Sequence, residues 1–166
     1  MNETYSASDR FQGLVSQELT STEQQSLVAL ALTVLAQRHQ RGQPIGSSAD
    51  TRAYLRIWLG ERRTETFGSL YLDCQHRVLE CRELFQGTID GAAVYPRVLV
   101  QDALQLNAAA VVLFHNHPSG IAEPSRSDVA ITQRLKEALA LVDVRVLDHV
   151  VVAAGESVSM AERGLL

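Results

Sequence analysis

One stretch constrains this chain more than any other. Residues Ala109-Ala110-Val111-Val112-Leu113-Phe114 are apolar without a break and run directly into His115-Asn116-His117-Pro118. A strand with one wet face alternates apolar and polar residues. A short run that is apolar throughout, with two valines, predicts a buried central strand. Pro118 cannot continue the hydrogen-bond ladder and turns the chain out of the sheet. His115 and His117 stand two residues apart at the end of that strand, so their side chains point to the same side. Two imidazole nitrogens can then converge on one ion. After Pro118 and six intervening residues comes Ser125-Arg126-Ser127-Asp128, which opens a helix over residues 125–140. Asp128, in its first turn, would add an oxygen ligand. Two histidines and a carboxylate, with a position left for water, form a known catalytic zinc arrangement. Ser125-x-x-Asp128 is also the spacing of a capping box. The two uses are compatible, because a helix start is where loop residues face a site.

The rest of the chain frames this stretch. Residues 1–18 are polar without a period and read as a flexible tail. A helix begins at Thr20-Ser21-Thr22, with Ser21 or Thr22 as cap, and carries Leu27, Leu30, Ala31 and Leu35 towards His39. Gly42 stops it, and residues 41–48 form a linker; residues 19–47 thus make an N-terminal helix and linker. A second helix starts at Ser48 or Asp50, with Tyr54, Leu55, Trp58 and Leu59 on one face. Residues 66–73 and 78–85 predict a hairpin turning near Gln75-His76-Arg77. Pro96 opens a helix with Leu99, Ala103, Leu104 and Leu106. Ile131, Leu135, Ala138 and Leu139 supply the apolar face of the helix at 125–140. Residues 144–153 read as another buried strand, and residues 157–166 as a short strand and terminal turn. Strands and helices alternate without a regular βαβ repeat, which predicts an α/β fold with a mixed β-sheet flanked by helices.

Composition narrows the function classes. The chain has 166 residues, 46% hydrophobic and 20% charged, ordinary for a folded globular domain. A net charge of −4 gives no support to a dedicated nucleic-acid binder, although a local basic patch stays open. No apolar run approaches a membrane span, and Met1 to Arg10 lacks a secretory signal pattern, so the expected location is the cytoplasm. The turn of the hairpin sets Cys81 opposite Leu70 and away from Cys74, which predicts two free thiols. No Cys-x-x-Cys pair exists for a thiolate zinc site. A zinc deaminase would need His-x-Glu and Pro-Cys-x-x-Cys, and neither is present.

His-x-His-Pro, six residues, then Ser-x-x-Asp resembles the JAMM (MPN+) metalloprotease motif. The central Asn116 and the following Pro118-Ser119-Gly120 resemble the RadC branch of that group. So do Leu84-Phe85-Gln86-Gly87-Thr88, Tyr95-Pro96-Arg97, Asn107-Ala108-Ala109, Pro124-Ser125 and Leu147-Asp148-His149, from about residue 25 onward. The resemblance implies a cytidine-deaminase-like JAB/MPN domain over residues 48–166 that binds one Zn2+ through His115, His117 and Asp128. It implies that Ser125 supports the oxyanion of a tetrahedral intermediate. It also calls for a glutamate at the start of an upstream strand. Glu65 matches that place; Glu80, Glu83 and Glu61 match it less well. The implied reaction is hydrolysis of a peptide or isopeptide bond in a peptide or protein substrate. Longer RadC proteins carry an N-terminal helix-hairpin-helix region, and the expectation here is a short form without it. Two alternatives stand beside the hydrolase: a nucleic-acid-binding protein associated with DNA repair or recombination, and an interaction module that has lost catalysis. Asp148-His149 reads either as a core histidine hydrogen-bonded to a carbonyl or carboxylate, or as a supporting group near the metal. The oligomeric state is left open.

Overall fold

The computed structural model describes residues 15–38, 47–59, 62–87 and 94–166. The predicted tail before residue 15, the stop at Gly42 and most of the linker lie outside the described residues. After a single 3-10 turn, Ser16–Glu18, come helices α1 (Ser21–Arg38) and α2 (Ser48–Leu59). The hairpin β1 (Thr66–Leu72) and β2 (Val78–Gln86) follows, then α3 (Pro96–Gln105) and β3 (Ala110–Asn116). The chain ends with α4 (Arg126–Ala140), β4 (Arg145–Ala153) and β5 (Glu156–Ser159).

Among the described residues the strands form one sheet in the order β2-β1-β3-β4-β5. The apolar run is its central strand, and all seven residues of β3 are buried. Only β3 and β4 pair in parallel; the other neighbours are antiparallel. A parallel pair needs a crossover, and α4 supplies it. The sheet is therefore mixed and flanked by helices, an α/β fold.

Side-chain alternation divides the core into two layers. Leu70, Leu72, Val112, Phe114, Val150 and Val152 pack with Leu55 and Leu59 of α2 on one face. On the other, Phe67, Tyr71, Val111 and Leu113 pack with Leu99 and Ala103 of α3 and Leu135 and Leu139 of α4. Burying each such large side chain contributes roughly 1.5–3 kcal/mol. The sheet lies close to its neighbours at Gly68, where a Cβ would stand 2.3 Å from Phe114 Cζ and 2.4 Å from the Arg82 carbonyl. Cys81 pairs with Leu70 in the hairpin, as the turn position predicts, and both cysteines are free. Burial, with Glu83 and Glu80 nearby, pushes the Cys81 thiol up to about 12, so it is no nucleophile at neutral pH.

The helix starts differ in detail from expectation. Thr20 caps α1: its hydroxyl accepts from the Glu23 N–H while the Glu23 carboxylate accepts from the Thr20 N–H. Ser47 caps α2 by accepting from the Asp50 N–H. In both cases the hydroxyl one residue ahead of the expected position reaches the third residue on, which is the geometry the cap requires. Leu104 is 58% exposed rather than on the apolar face of α3, which Leu99 and Ala103 define. Among the described residues no helix is long and apolar enough to cross a membrane.

Candidate metal centre

His115 lies at the end of β3 and His117 one residue beyond it, on the face covered by α4. Asp128 sits in the first turn of α4, brought back over that face by the crossover. The three side chains meet. His115 Nε2 is 2.9 Å from His117 Nε2 and 3.3 Å from Asp128 Oδ1, and His117 Nε2 is 3.4 Å from Asp128 Oδ2. Among the described residues this is the one histidine–carboxylate cluster that could hold a metal ion. A tetrahedral ion with bonds of about 2.0–2.1 Å has donors roughly 3.3 Å apart, so the separations fit one. His117 Nδ1 lies 2.9 Å from the Ile121 carbonyl, which can only accept. In the neutral ring the proton is thus on Nδ1, and the Nε2 lone pair faces the cluster. A two-nitrogen, one-oxygen donor set suits zinc and its first-row neighbours.

The electrostatics match a site for a cation. Burial pushes the Asp128 carboxyl up, but the neighbouring His115 and His117 rings and the hydrogen bond from Ser125 outweigh it and hold it well below the usual carboxylate range. His117 is raised, first by its hydrogen bond with Asp128, against a desolvation penalty; the Ile121 carbonyl and the charges of Asp128 and Glu65 add to the rise. Burial pushes His149 well below the ordinary imidazole range, with the neighbouring His115 adding to the effect.

Ser125 and Asp128 form the capping box. The Ser125 hydroxyl accepts from the Asp128 N–H at 3.1 Å, and the Asp128 carboxylate accepts from the Ser125 N–H at 2.6 Å. The carboxylate is thus held by its own helix start while facing the histidines. A Ser125 hydroxyl that accepts there keeps its proton to donate elsewhere.

Glu65 immediately precedes β1 and is partly buried. The β1–β3 register pairs Phe67 with His115. Glu65 stands just beyond the paired end of the two strands, and its charge acts on His117. Glu80 and Glu83 are held elsewhere, Glu80 by Arg82 and Glu83 by Arg62. Glu61 lies outside the described residues.

Asn116 has a role that the sequence pattern did not show, and His149 stands beside the candidate ligands, one of the two places expected for it. Asn116 points to the opposite face of β3. Its carbonyl accepts from the Thr66 N–H at 2.8 Å, and its amide donates to the Thr64 carbonyl at 3.1 Å and the Arg62 carbonyl at 3.4 Å. Asn116 therefore clasps the backbone on both sides of Glu65. His149 parts company with Asp148. Asp148 accepts from Ser159 and from the backbone of His149 and Ala161, fastening β4 to the C-terminal turn. His149 points the other way and lies 2.8 Å from His115.

The RadC-like JAB domain pattern matches residues 45–165. A UPF0758 protein of Marinobacter nauticus is 56% identical over 142 residues, 86% of this chain and 63% of that relative. A UPF0758 protein of Halorhodospira halophila is 56% identical over 144 residues, 87% of this chain and 64% of that relative. A UPF0758 protein of Vibrio cholerae is 55% identical over 136 residues, 82% of this chain and 85% of that relative. The chain spans a little under two thirds of the length of the first two relatives.

Proposed function

The chain belongs to the RadC-like JAB domain family, and from that membership we propose that it is a zinc-dependent hydrolase of an amide bond, a metallopeptidase or isopeptidase. One observation carries the reading: two imidazole nitrogens 2.9 Å apart, from β3 and the turn after it, meet the Asp128 carboxylate of α4, whose two oxygens lie 3.3 and 3.4 Å from them. A structural zinc site is closed by four protein ligands, whereas three leave a position for chemistry.

Bound zinc supplies Lewis acidity, enough to bring the pKa of a water from about 15.7 to about 7. His115, His117 and Asp128 would hold it. Glu65, just beyond the paired end of β1 and β3, takes the proton of the attacking water and passes it to the leaving nitrogen. The Ser125 hydroxyl donates to the carbonyl oxygen as negative charge develops there. Losing one such donor costs on the order of 100- to 1000-fold in rate.

Metal content is the first test. Protein purified without chelator should carry about one zinc per chain, and His115→Ala/His117→Ala should carry none. Glu65→Gln should keep zinc and lose turnover of a peptide or isopeptide substrate, by about 100-fold or more. Wild type that takes up no zinc, even when it is supplied, would sink the hydrolase reading.

A further inference from the structure

The cluster is backed by a chain of buried hydrogen bonds whose direction can be worked out from its shortest contact. Thr132 Oγ1 lies 2.5 Å from the Asp128 carbonyl oxygen, one helical turn back in α4. Two oxygens that close need a proton between them, and only the threonine can provide it. Thr132 Oγ1 also lies 2.6 Å from His149 Nδ1. Its single proton is already committed, so the hydroxyl accepts here and His149 carries its proton on Nδ1. His149 Nε2 is then an acceptor, and it lies 2.8 Å from His115 Nδ1. His115 must donate, which leaves the lone pair of His115 Nε2 directed at His117 and Asp128.

Every link is shielded from water. His149 is fully buried, and His115 and Thr132 are each 1% exposed. The Phe67 ring stacks near parallel to His115 at 6.2 Å and meets His149 edge-on at 5.5 Å. The backbone is bent to suit. In β4 the parallel register slips between Val111 and Val112 of its partner strand, so Val111 faces Val146 but Val112 faces Asp148. Plain alternation from Val146, which faces α4, would turn Asp148 to that side and His149 away from it. The slip reverses this, a use to which bulges near functional sites are put.

We infer that His149 and Thr132 are positioning residues for the metal, joined to His115 in a one-way hydrogen-bond chain that fixes its tautomer and aims its Nε2. The inference deepens the zinc reading and rests on it. The chain also closes a ring, because it starts at the backbone of Asp128, whose carboxylate is the third ligand. Two ligands from separate elements are thereby held at a set separation through β4.

The test uses the zinc-loaded full chain. Long-range 1H–15N NMR should find the ring proton on Nδ1 of both His115 and His149. Zinc affinity, by competition with a chromophoric chelator, should fall roughly 10- to 100-fold in Thr132→Val, which keeps the shape and loses the hydroxyl. Thr132→Ser should restore it. A proton on Nε2 of His149, or a folded Thr132→Val that binds zinc as tightly as wild type, overturns the inference while leaving the zinc reading intact. If Thr132→Val does not fold, the tautomers of the wild type decide alone. A wild type that binds no zinc overturns both, and is recognised by that.

Discussion

His117 and His149 have opposite electrostatic fates within one cluster, and the pH dependence of the metal-free protein follows from the pair. His117 is raised above the ordinary imidazole value of about 6.5. Its contribution to stability is full below the unfolded value and is lost as pH rises through the folded one. His149 is lowered well below that value. The unfolded chain then binds a proton that the native state refuses, and stability is lost as pH falls below about 6.5. Asp128 is held down, so its contribution is present throughout this window and fades only below about 3.9. The melting temperature of chelator-treated protein should therefore peak near about pH 6.5 and fall on both sides. With zinc bound, no proton competes at His117, so the increment due to zinc should grow with pH. A chelated protein whose melting temperature climbs steadily to pH of about 8 would contradict the assignment to His117.

At the scale of elements, Asn116 explains how a strand can serve a site on one face while using the other to build it. The side chains on either side of it are the candidate ligands. Its own amide holds residues 62–66, the segment that presents Glu65. Asn116→Ala should leave zinc content unchanged and lower kcat, since the metal ligands keep their supports and the segment carrying Glu65 does not. It should also cost about 1–3 kcal/mol, because the Thr66 N–H loses its partner inside the protein. Asn116→Asp keeps that acceptor but turns a buried carboxylate oxygen towards the Thr64 and Arg62 carbonyls, so it should cost more than Asn116→Ala. Zinc analysis beside steady-state kinetics separates these outcomes; loss of zinc in Asn116→Ala would place the residue in the metal site instead. The cluster of three candidate ligands was legible in the sequence because it is local: an apolar strand ending in His-x-His, then a helix start with a capping spacing. Asn116 could be seen in the motif, but its partners could not, since they lie across the sheet. The pairing of His149 with His115 was hidden by the register slip in β4, which no alternation pattern announces.

For the whole molecule, the ion would act as a tie between layers. His115 and His117 belong to the sheet and its end, Asp128 to a helix laid over it. A ligand that binds only the native state, at 100 times its Kd, adds about 2.7 kcal/mol. In a chain of this size that is roughly 5–10 °C in Tm. Calorimetry with and without chelator should show this increment in wild type and none in His115→Ala/His117→Ala. An equal increment in both would put the zinc elsewhere. The overall architecture was readable from periodicity, because residues 110–114 of β3 are apolar without a break and α2, α3 and α4 each bury an apolar face. The exposed positions of Leu27 and Leu30 on α1, and of Leu104 on α3, were not. A leucine at helical spacing is buried only if another element arrives to cover it.

The parallel pairing of β3 and β4 bears on the order in which the protein can assemble. His115, His117 and Asp128 lie close together along the chain, and their encounter alone needs little more than one strand end and one helix start. The support behind them does not come with that encounter. It waits for β4 to dock beside β3 after the whole crossover has been made, a nonlocal contact of the kind that slows folding. An early intermediate can thus hold metal loosely through the local triad and tighten its grip only when the last strands close. Metal capture and native topology would then be consecutive events, and the rate of tight capture would be a clock for completion of the sheet.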